Sequence, residues 1–94
     1  MNLEEDFIEI DLSDVKSKQE FYEKLCLKLN FPEYFGNNLD ALYDVLTDVH
    51  PFWKIKLQSC ERLRQNLGKE FYDSIKEVFE DAVEDGAALE VLFE

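Results

Sequence analysis

The sequence predicts an α/β fold in two layers, a three-stranded parallel sheet in the order 1-2-3 with about four helices on one face. Three observations predict it. Apolar and polar residues alternate near residues 7–12, 53–57 and 89–93, the period of a strand with one buried face. Segments with helical apolar spacing separate each strand from the next, which implies crossover connections between parallel strands. Right-handed crossovers in sequence order place every helix on the same side, and the polar residues that alternate within the strands suit a second face left in water.

The elements follow in order. Phe7 to Leu12 sets Ile8, Ile10 and Leu12 on one side and Glu9 and Asp11 on the other. Ser17 and Glu20 have capping-box spacing, and Phe21, Tyr22, Leu25, Cys26 and Leu29 then recur at helical period. Asn30 tolerates a left-handed position after this helix, while Pro32 stops it and holds Phe31 extended. After a loop through Gly36, Asn37 or Asn38 can cap a second helix with the stripe Leu39, Leu42, Val45, Leu46 and Val49, which Pro51 interrupts. Trp53, Ile55 and Leu57 alternate with Lys54 and Lys56 as a strand with one basic face. A short third helix is placed over Cys60–Leu67. Phe71, Ile75, Val78, Phe79 and Ala82 define a stronger fourth helix that Gly86 ends, and Leu89, Val91 and Phe93 form the last strand.

A chain of 94 residues is expected to form one domain over residues 1–94, with apolar residues at 46% and eight Phe, four Tyr and one Trp to fill its core. No run approaches the roughly 18 apolar residues of a membrane span, and Met1 to Asp6 is acidic where a secretory signal is basic. A cytoplasmic protein is expected. Cys26 and Cys60 lack C-x-x-C spacing and are read as free, structural thiols.

Ten Lys and Arg against 22 Asp and Glu give a net charge of −12, which disfavours nucleic acid or an anionic membrane as direct ligand. A cationic partner is expected. The distribution sharpens this: between Lys28 and Lys54 the only charges are Glu33, Asp40, Asp44 and Asp48, and after Lys76 come Glu77, Glu80, Asp81, Glu84, Asp85, Glu90 and Glu94. An ordinary solvated face mixes signs.

Catalysis needs a base, a nucleophile or a metal in a defined constellation. His50 is the single histidine and precedes Pro51 in a turn, and the three glycines form no phosphate-binding loop. Asp40, Asp44 and Asp48 form a row along a helix rather than a loop around one ion, so no metal or cofactor is expected. Each like-charge i,i+4 pair destabilises a helix by about 0.2–0.5 kcal/mol, and Asp48 falls near the unfavourable C-terminal end. Such a row opposes local stability and points instead to binding.

The run Phe31-Pro32-Glu33-Tyr34-Phe35-Gly36-Asn37-Asn38-Leu39-Asp40-Ala41-Leu42-Tyr43-Asp44-Val45-Leu46-Thr47 resembles the signature of the barstar family, a P-E-Y-aromatic-G loop leading into N-L-D-A-L-aromatic-D. Phe79, Ala82 and Gly86 are similar to the F-x-x-A-x-x-x-G end of that family's last helix. The resemblance implies an inhibitor, not an enzyme, that covers the active site of a microbial ribonuclease with this loop and helix. It implies contacts at Tyr34, Asn38, Asp40 and Asp44, with Asp44 mimicking a phosphate, Asp40 meeting an arginine and Tyr34 stacking as an aromatic anchor. Tyr43 and Asp48 join them on the rim, and Asp81 and Asp85 of the last helix stand where further contact carboxylates are expected. The sequence departs from the family prototype at Tyr43, where that has Trp, at Asp48-Val49, where it has Gly-Trp, and in a shorter connection before the second strand. These departures bear on which enzyme is recognised.

The partner so implied is a cationic, guanyl-specific ribonuclease or a related toxin nuclease, bound by a chain that is monomeric when free. The alternative from another class is an acidic adaptor or nucleic-acid mimic on the same scaffold. For Asn38 the residues leave open a purely capping role, and for Asp81 and Asp85 a solvated surface.

Overall fold

The computed structural model describes residues 7–31, 36–48 and 52–94. The elements run β1 (Ile8–Asp11), α1 (Lys18–Leu29), α2 (Leu39–Thr47), β2 (Trp53–Gln58), α3 (Cys60–Leu67), α4 (Lys69–Glu84) and β3 (Leu89–Phe93). The strands form one parallel sheet in the order β1-β2-β3, as the crossover pattern requires.

The register explains the two faces. Ile8 pairs with Ile55 and Ile10 with Leu57, while Ile55 pairs with Val91 and Leu57 with Phe93. These apolar rows lie under the helices, with Ile10, Ile55 and Leu57 at 0 to 1% exposure. The other face sets Glu9 against Lys56 and Lys54 against Glu90. Cross-strand pairs of opposite charge are favourable there, and Gln58 adds a 2.9 Å hydrogen bond to Glu9. Phe7 lies near the Lys54 and Lys56 ammonium groups, 4.7 and 5.6 Å from its ring centre.

The Ser17 hydroxyl accepts from the Glu20 amide at 3.1 Å, and Glu20 reaches back to the Lys16 amide at 2.7 Å. One N-terminal donor of α1 and the amide just before its cap are thereby satisfied. Asn30 takes the left-handed conformation at φ 57°, and the Phe31 amide bonds back to the Cys26 carbonyl. Phe31 is then buried, its ring 5.9 Å from that of Trp53 on β2. The chain thus leaves α1 anchored to the sheet just before it turns toward α2.

Leu42 and Leu46 are fully buried; at roughly 1.5–3 kcal/mol for each such side chain they hold α2 to the body. Along α4 the same role falls to Phe71, Ile75, Phe79 and Ala82, and α2 packs on this helix. Gly86 at φ 94° ends α4, where its amide bonds to the Val83 carbonyl and that of Ala87 to the Ala82 carbonyl. Two turns were not legible in the pattern. Gly68, also at φ 94°, is the single residue between α3 and α4, and Ser59 adopts a left-handed conformation between β2 and α3.

Cys60 is buried and its thiol donates to the Leu57 carbonyl at 3.3 Å; Cys26 is half-buried, and both are free. Burial pushes both thiols up from their ordinary pKa, which suits the structural role expected of them. Among the described residues, no helix is long and apolar enough to cross a membrane.

Candidate functional site

The acidic helix is set by the residues that precede it. Asn37 and Asn38 divide the work of starting α2. Asn37 takes the left-handed conformation at φ 51°, which asparagine tolerates better than most residues. Asn38 then returns to extended backbone and its side-chain oxygen accepts from the Ala41 amide at 2.7 Å. Its Nδ2 donates to the Gly36 carbonyl at 3.1 Å, so one side chain ties the loop to the helix. Gly36 leaves room for this contact: a Cβ there would stand 3.2 Å from Asn38 Nδ2, close enough to push the cap by a few tenths of an ångström.

Asp40 lies in the first turn, where a carboxylate favours the helix dipole, and Asp44 one turn later; both are exposed. The row does not continue as a helical stripe to Asp48. Helix α2 ends at Thr47, and Asp48 is its C-cap with extended backbone at ψ 171°. The Thr47 hydroxyl donates to the Tyr43 carbonyl at 2.9 Å and to the Asp44 carbonyl at 3.3 Å, the latter one of the last-turn groups that the helix end leaves open.

Tyr43 is the half-buried residue that joins this helix to the next carboxylates. Its hydroxyl donates to Asp85 Oδ2, at the C-cap of α4. That bond, desolvation, and the charges of Asp85, Asp81 and Asp44 together hold the phenol above its ordinary pKa. The acids that sequence reading drew from two distant segments therefore act on one group: Asp85 holds the phenol by a hydrogen bond, and the charges of Asp81 and Asp44 reach it. Asp40 stands apart at the other end of α2. It lines an open cleft with Lys18, Gln19, Tyr22, Asn37, Asn38, Leu39 and Phe71.

Lys18 was not singled out by sequence reading, and Phe71 was read only as part of the apolar stripe of the fourth helix. Lys18 Nζ lies 5.0 Å from the centre of the Phe71 ring, at a cleft that Asp40 shares. The signal was present only as the position of Lys18 in the first turn of α1. Tyr34, Val49, His50 and Pro51 lie outside the described residues.

A small parallel sheet with helices packed on it, a doubly anchored asparagine cap and an exposed acidic helix joined through a phenol to the acidic end of α4 define a two-layer α/β domain with an acidic helical face. The chain belongs to the barstar family: the family model described as Barstar (barnase inhibitor) matches residues 5–94. Among its relatives is the Bacillus subtilis (strain 168) protein named "Putative ribonuclease inhibitor YrdF", 37% identical over 77 residues that make up 81% of this chain and 84% of that protein.

Proposed function

We propose that this chain is a protein inhibitor of a ribonuclease and that it acts by occupying the enzyme's active site, with no catalysis of its own. Family membership and the inhibitor name borne by the Bacillus relative support ribonuclease inhibition. The observation that carries the mechanism is the exposed acidic face of α2, Asp40 and Asp44, joined through the Tyr43 hydroxyl to Asp85 at the end of α4. A ribonuclease must present cations to RNA phosphates, and fixed carboxylates compete for the same donors through charge-assisted hydrogen bonds.

In this reading Asp44 takes the phosphate position and Asp40 meets an arginine of the enzyme. Tyr34 and Tyr43 supply aromatic contact, Asp48 and Asp81 border the face, and Asn38 serves chiefly by holding the start of α2. The target is a guanyl-specific microbial ribonuclease or a related toxin nuclease, bound by a cytoplasmic monomer that protects the cell making it. The test is titration of the purified chain into a guanyl-specific bacterial ribonuclease assay. Loss of RNA cleavage in proportion to added chain is expected. Undiminished cleavage across several such enzymes would overturn the reading in favour of an acidic adaptor.

A further inference from the structure

The Tyr43 hydroxyl crosses from α2 to Asp85 at the C-cap of α4. Both helices end in negative charge. Neither has a basic residue in its last turn, and their C-caps are Asp48 and Asp85. Carboxylates there stand at the negative ends of the helix dipoles, and like charges on packed helices repel. Apolar burial supplies the attraction, since Leu42, Leu46, Phe79 and Ala82 belong to one core. Ridge-and-groove packing, however, leaves the angle between two helices a scatter of about 15–20°. A directional bond from the middle of α2 to the end of α4 selects one angle within that scatter.

The chemistry of the donor is the informative part. Lysine or arginine at position 43 would also join α2 to Asp85, but its positive charge would cancel part of the field that the face presents. A phenol donates without charge. A phenol titrates near 10 and the bond to Asp85 raises this one further, so it remains a donor throughout the neutral range. We propose that Tyr43 and Asp85 form a positioning latch, a neutral-donor hydrogen bond that sets the angle of the acidic helix while leaving the negative charge of that face intact. The proposal rests on the inhibitory reading above and gives Asp85 a role through Tyr43, as a positioning residue, with direct contact left to Asp40 and Asp44.

The test uses the full chain and four variants: Tyr43→Phe, Asp85→Ala, Asp85→Asn and the double variant Tyr43→Phe with Asp85→Ala. Amide hydrogen exchange over residues 42–47 is measured on the free chain, and the inhibition constant is measured against a guanyl-specific bacterial ribonuclease. Tyr43→Phe and Asp85→Ala should each speed exchange in α2 and weaken inhibition by similar factors, about threefold to tenfold for one hydrogen bond at a partly exposed site. The double variant should be no worse than either single one, because the two changes break the same bond. Asp85→Asn keeps a carbonyl that accepts from the phenol and should recover most of the loss despite removing a charge.

Asparagine as damaging as alanine at position 85, or single losses that multiply in the double variant, would mark Asp85 as a direct contact and overturn the latch. Unchanged exchange in Tyr43→Phe would overturn it too. If the unaltered chain fails to inhibit the ribonuclease, the inhibitory reading falls by itself, and the exchange data alone decide the latch.

Discussion

The side-chain oxygen of Asn38 stands 2.7 Å from the amide nitrogen of Ala41, and through it the loop that opens with Gly36 becomes the first turn of the acidic helix. Asn38→Ala should destabilise the free chain by about 0.5–2 kcal/mol, the usual yield of an N-cap. Asn37→Gly should be nearly neutral, since glycine adopts the same left-handed backbone at no steric cost. Denaturant unfolding of the two variants measures the contrast. Equal losses at both positions would contradict the division of labour between the two asparagines.

Gly36→Ala tests the same junction from the other side. The new Cβ would meet Asn38 Nδ2 at 3.2 Å, closer than nearly all such contacts, so the cap must shift. A loss approaching that of Asn38→Ala is expected, and the two losses should not add, because both act on one cap. Fully additive losses in the double variant would place the effect of Gly36 elsewhere.

Asp44→Ala separates binding from folding. In the free chain Asp44 is exposed and follows Asp40 by one turn, so the change removes a repulsion of about 0.2–0.5 kcal/mol and introduces a better helix former. The free variant should be as stable as the parent or slightly more so. Binding to the nuclease should weaken by roughly 2–5 kcal/mol, mainly through faster dissociation, because the enzyme's cations are left buried and unpaired. Thermal unfolding and the inhibition constant are measured together, with Glu5→Ala as a control for general charge loss. Equal weakening by the control would mean that Asp44 is an ordinary surface acid.

What the sequence made legible was largely periodic. Alternation found the strands, and the stripes of Leu42 and Leu46 and of Ile75 and Phe79 found the faces that α2 and α4 bury. Single-residue turns escaped, because Ser59 and Gly68 act through backbone angles that leave no period. The acidic site was half legible. The row Asp40 and Asp44 could be read within one helix, and the link of Tyr43 to Asp85 could not, since it joins residues 42 apart and depends on how two helices are packed. Lys18 teaches the converse. A segment without basic residues does not make a region without them, and α1 delivers a cation to the cleft beside Asp40.

The Tyr43 phenol should titrate above the ordinary tyrosine value of about 10, first because it donates to Asp85 and then through desolvation and the charges of Asp85, Asp81 and Asp44. A raised value means that the folded chain holds the proton more tightly than the unfolded chain. The associated stabilisation is complete below the unfolded tyrosine value and is lost as pH rises through the folded one. Ultraviolet titration of the parent minus that of Tyr43→Phe isolates this phenol. Its midpoint should lie above that of free tyrosine and fall toward it in Asp85→Ala; a midpoint at or below the free value would contradict the arrangement.

Association with a cationic ribonuclease should be fast at low ionic strength and slow by roughly tenfold or more as salt screens a chain of net charge −12. Dissociation should change far less. Stopped-flow mixing across a salt series gives both rates, and an association rate indifferent to salt would remove long-range attraction from the mechanism.

The outer face of the sheet, where Lys56 stands opposite Glu9 and Lys54 opposite Glu90, has a consequence for how the molecule turns. Signs are mixed on that side, while Asp40, Asp44, Asp81 and Asp85 belong to helices on the other side of the sheet. The chain is therefore an electric dipole as well as an anion. In the field of a basic cleft, net charge sets the force of approach and the dipole sets a torque, so the acidic helices swing forward before any atoms touch. A chain of equal net charge with Lys54 and Lys56 moved beside α2 would arrive about as quickly and face the wrong way more often.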